Sequence, residues 1–207
     1  MAAVALKDRR AKLRFGADAN GIILTPTEFD RADFDENWRF ELINGVLVVT
    51  PLPFVNEVDP NEELGYLLRA YKEYHPLGAA LNATLPERIV RIGNTRRRAD
   101  RLIWAGLGRV PRRNEHPTII AEFVSRRKRD QVRDYETKRA EYASIKVEEY
   151  WVFDRFRRIL TVFALKGRKR VIREEQVYTT PLLPGFDLPL ARLFAVADRW
   201  PEDTTLD

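Results

Sequence analysis

The run Pro117-Thr118-Ile119-Ile120-Ala121-Glu122-Phe123-Val124 constrains this chain more than any other segment. A near-continuous apolar stretch of this length reads as a central strand buried on both faces, as in sheets covered by helices on either side. Period-two alternation puts Ile119, Ala121 and Phe123 on one face and Ile120, Glu122 and Val124 on the other. A carboxylate inside such a run must be paired, protonated or bound to a metal, because a bare buried charge is costly. The ordinary alternative is a glutamate near a strand end that reaches solvent or meets an arginine.

Helix and turn signals surround this strand. Thr25-Pro26-Thr27-Glu28 combines a capping threonine, a proline in the first turn and a glutamate that closes a capping box. In RFELI-NG-VLVVT the Asn44-Gly45 dipeptide supplies the positive φ angles of a type I′ hairpin turn. Asp59-Pro60-Asn61-Glu62 repeats the cap, proline and acid pattern, and Leu64, Leu67, Leu68 and Tyr71 follow at helical spacing, with an end expected near His75-Pro76. Strands are expected at 80–85 and 88–92, and another from Asp100 through RLIWAG. A charged helix over 128–145 comes next, then paired strands at 149–154 and 159–165, and a further strand at 171–178. The tail LLPGFDLPLARLF reads as a loop and a docking turn or short helix. Residues 1–20 are expected to form a loose charged arm, and residues 21–207 a single α/β domain with a mixed sheet, an N-terminal hairpin and a C-terminal β-meander.

The composition removes several chemistries. With no cysteine there is no disulfide framework, no thiol nucleophile and no cysteine-based zinc site. Two isolated histidines, His75 and His116, make no histidine-rich centre. Any metal would therefore take oxygen ligands, which favours Mg²⁺ or Mn²⁺. The opening MAAVALKDRRAKLRF has too short an apolar run for a signal peptide, and its charges follow that run. No stretch approaches the ~20 apolar residues of a membrane span, so the expectation is a cytoplasmic protein with no membrane partner. The 36 basic and 31 acidic residues, net +5, are compatible with a nucleic-acid partner without requiring one.

Lys138 and Asp100 join Glu122 as candidates. At ~100° per residue, Tyr135, Lys138, Tyr142 and Ile145 share one stripe of the charged helix, with Asp134 at its edge. A lysine in that stripe faces the protein, where its ammonium can meet an acid; a snorkelling lysine, or an i,i+4 pair with Asp134, is the plain alternative. Asp100 is expected at the mouth of the strand preceding that of Glu122, where a salt bridge to neighbouring arginines would also explain it. If the two strands are neighbours, the two acids point into one cleft with Lys138 above them. Metal-dependent phosphodiester cleavage uses such a set: acids hold the ion, and an ammonium orients water or offsets developing charge.

The segments FELINGVLVV, RRADRLIW and IIAEFVS, the Asp134–Lys138–Tyr142 spacing, VEEYWVFD and the closing LPGFDLPLARLF occur in an order that resembles the Uma family of restriction-endonuclease-like proteins. The resemblance runs over residues 22–195 and implies a PD-(D/E)XK nuclease fold. On it Asp100 matches the motif aspartate and Glu122 the acid of the next strand. Val124 stands where a lysine usually follows that acid, consistent with a lysine relocated to the helix at Lys138. Glu41 matches an acidic position beside the same cleft. The sequence departs from the family at Ala99, usually proline, and at Ser125-Arg126-Arg127, usually a small proline-containing segment. A histidine common after the first hairpin is missing near Val55-Asn56-Glu57.

Together these features imply a Mg²⁺- or Mn²⁺-dependent DNA endonuclease. Asp100 and Glu122 would be metal ligands, Lys138 the water-orienting or charge-offsetting residue, Glu41 an auxiliary ligand or base, and Asp134 and Tyr142 supports for Lys138. Arg97, Arg98, Arg126, Arg127 and Lys128 flank the cleft in sequence and are candidates for gripping phosphates. A symmetric homodimer would suit cleavage of both strands. The competing expectations are an inactive nucleic-acid-binding module of the same fold, and an interaction subunit whose acids form a structural ion-pair network.

Overall fold

A computed structural model describes residues 14–125 and 133–201, the side chains of residues 133 and 134 excepted. The positions of Arg126, Arg127 and Lys128, the first turns of the charged helix and the Asp134 side chain lie outside the described residues. The chain divides into two compact units, Met1–Leu52 with Gly93–Arg96, and Pro53–Ile92 with Arg97–Asp207.

In the first unit, residues 14–20 form local structure where a loose arm is expected. β1 (Arg14–Phe15) pairs in parallel with β2 (Asp33–Phe34), and Phe15 packs near Phe34 with ring centroids 6.0 Å apart. α1 (Pro26–Arg31) starts as its sequence predicts. The Glu28 N–H donates to Thr25 Oγ1 at 3.2 Å, and the Thr25 N–H donates back to Glu28 Oε2 at 2.7 Å. β3 (Trp38–Ile43) and β4 (Val46–Pro51) form the expected hairpin, with Asn44 at φ 50° and Gly45 at φ 86°. Both positive angles are what a type I′ turn requires. Leu42 lies opposite Arg96, whose guanidinium makes two bonds to Asp30, at 3.0 and 3.2 Å.

The second unit opens with α2 (Val55–Tyr74), a helix of 20 residues that starts four residues before the expected Asp59 cap. Pro60 is only its sixth residue, so the missing N–H removes a single early bond. Asp59 does not cap; its carboxylate accepts the Trp200 indole N–H at 2.6 Å. The two strands expected after the helix are one, β5 (Leu81–Ile92), in which Glu87 takes φ 50° beside Pro86. β6 (Thr95–Ala105) starts well before Asp100 and includes the arginine run. The run is tolerated in a strand because Arg96 and Arg97 are both neutralised by carboxylates.

β7 (Ile119–Phe123) is buried at every position, as a central strand should be. A π-helical turn, Arg133–Thr137, leads into α3 (Lys138–Ser144). β8 (Glu149–Asp154), β9 (Ile159–Ala164) and β10 (Arg170–Arg173) complete a sheet of order β10-β9-β8-β7-β6, to which β5 adds through β6. β7 and β8 are parallel, as the helical connection between them allows. The strand expected at 171–178 is two elements. β11 (Val177–Thr180) leaves the meander to pair with β12 (Leu183–Pro189), formed from the tail expected as a loop, and α4 (Leu190–Ala197) follows.

Alternation along the strands sends two cores to opposite faces of this sheet. Leu64 and Leu68 of α2 and Leu193 and Phe194 of α4 pack with Ile103, Ala121, Phe123 and Trp151. Tyr142 of α3 packs with Leu102, Ile120, Val124, Tyr150 and Val152 on the other side. Full burial of each aliphatic side chain contributes roughly 1.5–3 kcal/mol, so the sheet is clamped from both faces. Tyr150, Trp151 and Phe153 are buried in these cores.

Candidate active site

Antiparallel pairing of β6 and β7 sets Arg101 opposite Ala121 and Leu102 opposite Ile120, with Asp100 and Glu122 the next residues on the two strands. Arg97 and Ala99 face α3, and so do Leu102 and Trp104, whereas Arg101 and Ile103 face α2. The parity therefore slips by one residue between Ala99 and Arg101, with Asp100 at the slip. Its carboxylate takes over a ladder bond: Asp100 Oδ2 accepts the Phe123 N–H at 2.8 Å. This anchors one acid to the backbone of the residue that follows the other. A slip of this kind re-aims a side chain at a site.

Glu122 is 2% exposed and projects toward α3. Lys138 Nζ, itself buried, lies 2.9 Å from Glu122 Oε2. The Tyr142 hydroxyl, one helical turn further on, donates to Glu122 Oε1 at 2.7 Å. The i,i+4 spacing of Lys138 and Tyr142 thus places a cation and a hydroxyl donor on the two oxygens of one carboxylate. The same helix carries Glu141, which receives Arg97 Nε at 2.6 Å and Nη2 at 2.9 Å.

Of the residues singled out in the sequence, Asp100, Glu122, Lys138 and Tyr142 come together in the second unit. Glu41 belongs to the first, buried in β3 opposite Val48. Arg97 is 2% exposed and turned inward onto Glu141, so a grip on phosphate would have to break that ion pair. Arg98 is half-buried.

A polar network on the α2 face was not anticipated. Asn61 Nδ2 donates to the Asp100 carbonyl at 2.8 Å, while Asn61 Oδ1 and its backbone carbonyl accept Arg101 Nε and Nη2, each at 2.7 Å. Arg101 is 1% exposed, and burial pushes its guanidinium pKa down, against the opposing pull of Glu62. A Cβ on Gly65 would fall 2.6 Å from the guanidinium, so only glycine leaves room for it. The signal was present in the sequence, since Asn61 lies on the stripe Leu64, Leu68 and Tyr71 as a polar residue at core spacing.

Over residues 26–191 the sequence matches the Uma2 family, whose description reads putative restriction endonuclease. The chain belongs to the Uma2 family. The crystal structure of a putative nuclease from Anabaena variabilis ATCC 29413 superposes with a TM-score of 0.69 at 16% identity, covering 84% of this chain and 99% of that one. The fold is thus restriction-endonuclease-like, with a mostly antiparallel mixed sheet. No curated protein sequence matches the chain. Among the described residues, no helix is long and apolar enough to cross a membrane.

Two buried carboxylates, Asp100 and Glu122, are the oxygen groups of this cluster that a hard cation would have to use. Among the described residues, no group of three His, Asp or Glu side chains forms a cage. Asp100 Oδ2 accepts the Phe123 N–H and both Glu122 oxygens meet protein donors, so an ion here would share or displace those contacts. Mg²⁺ is commonly bound through one or two carboxylates, with water and substrate phosphate filling the remaining positions.

Proposed function

We propose that the chain is a Mg²⁺- or Mn²⁺-dependent DNA endonuclease in which Asp100 and Glu122 hold the ion and Lys138 acts on water or phosphate. Family membership supports a nuclease, and one observation carries the residue assignment. The Lys138 ammonium sits 2.9 Å from a carboxylate whose neighbouring backbone N–H is held by the second acid. A bound divalent ion would polarise the scissile phosphate and acidify the attacking water.

The chain's own groups prepare the site. Tyr142 and Lys138 fix the plane of the Glu122 carboxylate from both of its oxygens. Asp100 is fixed by the Phe123 N–H on one side of the strand, and its carbonyl by Asn61 on the other. Such preorganisation lowers the reorganisation needed when charge develops on phosphate oxygens. In this reading Lys138 offsets that charge, Asp134 and Tyr142 support the lysine, and Arg98, Arg126, Arg127 and Lys128 hold the phosphate backbone. A homodimer would present two such sites to a duplex.

A second reading has an observation of its own. Both oxygens of Glu122 already receive protein donors, as in a structural ion-pair network, which favours an inactive DNA-binding member of the family. Supercoiled plasmid incubated with Mg²⁺ or Mn²⁺ separates the two. Metal-dependent nicking that falls by about a thousandfold in Asp100→Asn is the expected result, the size typical of losing one essential electrostatic group. DNA retardation without nicking would instead support the inactive reading.

A further inference from the structure

A second basic feature lies on the α3 face of the same sheet, away from the acids. Between β5, the far end of β6 and the loop 106–117 is a hollow of about 250 Å³ rimmed by Arg88, Arg91, Arg112, Arg113 and His116, with Leu102 and Trp104 in its lining. Four arginines face a single carboxylate there, Glu115. That carboxylate is engaged in building the wall. It receives Arg109 Nη1 and Nη2 at 2.8 and 2.7 Å and the Arg112 N–H at 2.6 Å, while its carbonyl accepts the Trp104 indole N–H at 3.1 Å. Arg91 Nη1 ties the loop to β5 through Asn114 Oδ1 at 2.8 Å. The hollow is therefore held open by internal bonds, and Arg88, Arg112, Arg113 and His116 are exposed at its rim.

We infer that this hollow is a subsite for the phosphodiester backbone of a nucleic-acid strand. The inference rests on the nuclease reading above and names where its substrate lies beyond the cleavage point. Three observations favour a strand. The rim is cationic and presents guanidinium groups, whose planar donors suit phosphate oxygens. The lining at Leu102 and Trp104 is apolar, a surface for sugar rather than for a second charge. The third is spacing. Trp104 lies four residues along β6 from Asp100, about 13 Å at ~3.3 Å per residue. That span covers about four phosphates of one duplex strand. The rim is thus within the length of a strand extending from the proposed cleavage point, and a volume this small suits one sugar–phosphate unit better than a protein segment.

Anisotropy titrations of a fluorescein-labelled DNA duplex, in EDTA and at several salt concentrations, test this. Arg88→Ala/Arg112→Ala/Arg113→Ala should bind at least about tenfold more weakly, with a log–log salt slope shallower by about one unit per lost contact. The Arg168→Ala/Lys169→Ala variant of the β9–β10 turn serves as a charge-removal control and should change the slope little. Circular dichroism should give both variants the wild-type melting temperature, since every altered side chain is exposed. An unchanged slope in the triple variant overturns the subsite, as does an equal loss in the control. Displacement of the duplex by inorganic phosphate at matched phosphate concentration overturns it too, making the hollow a free-anion site. If wild type nicks plasmid while the triple variant binds as tightly as wild type, the subsite alone falls. If wild type neither binds nor nicks, the nuclease reading falls and takes the subsite with it.

Discussion

Asp100 stands between two buried polar clusters, one on each face of the sheet, and they solve opposite problems. On the α2 face the buried charge is positive: Arg101 is held by the neutral acceptors of Asn61 and Thr84, and its carboxylate partner, Glu62, is 60% exposed at the rim. On the α3 face the buried charge is negative, and Glu122 meets a full countercharge at 2.9 Å. A guanidinium can be solvated by dipoles because it spreads its charge over five donors. The Glu122 carboxylate, with its charge confined to two oxygens, is met instead by a cation and a hydroxyl donor. The first arrangement braces helix to sheet; the second leaves a polarised acid beside Asp100, which is where chemistry is possible.

The largest effect should come from breaking the acidic side alone. Lys138→Met leaves Glu122 buried without its ammonium and should cost about 3–5 kcal/mol in urea denaturation. Adding Glu122→Gln should recover most of that loss, because the two side chains are coupled. Additive losses would mean that the pair is not the unit described here, and the contrast with Arg101 would lose its basis.

Gly65→Ala attacks the other cluster with a single methyl group. Its Cβ would meet the Arg101 guanidinium at 2.6 Å, so the arginine or the helix must shift. Overpacking of this kind costs about 1–3 kcal/mol. Calorimetric Mn²⁺ affinity should stay at the wild-type value if the α2 face is a brace only. An affinity loss matching that of Asp100→Asn would place Asn61 and Arg101 within the working site and sharpen the comparison in the other direction.

How much of this was legible depended on whether the partner was near in sequence. The capping box at Thr25 and the turn at Asn44-Gly45 are local, and both formed as read. The alternation that isolates Glu122 and the helical stripe that carries Lys138 and Tyr142 are also local patterns, and they meet in space. The sequence reading starts β6 at Asp100, after the arginine run, because the acids that neutralise the run are remote. Arg96 finds Asp30 across 66 residues, and Arg97 finds Glu141 across 44. The slip at Asp100 is likewise invisible to periodicity, since it appears only when both faces of β6 have known neighbours. β12 escaped notice because its pairing with β11 replaces the apolar alternation that would have marked it, and its proline and glycine read as loop.

The smallest test takes an ion pair out of the interior altogether. Glu115 is held down to about 2, first by its bonds from Arg109 and then by the Arg112 N–H, against an ordinary value of 4.5. A depressed folded-state value means that the carboxylate contributes its stabilisation above pH 4.5 and loses it as pH falls toward 2. Loop 106–117 should therefore keep its NMR chemical shifts down to about pH 4.5 and move only below it, while Glu115→Gln removes that pH dependence. The global melting temperature should hardly respond, because exposed pairs contribute little. If Glu115→Gln lowered it as far as Lys138→Met does, burial would not be what separates the energetics of these two carboxylates.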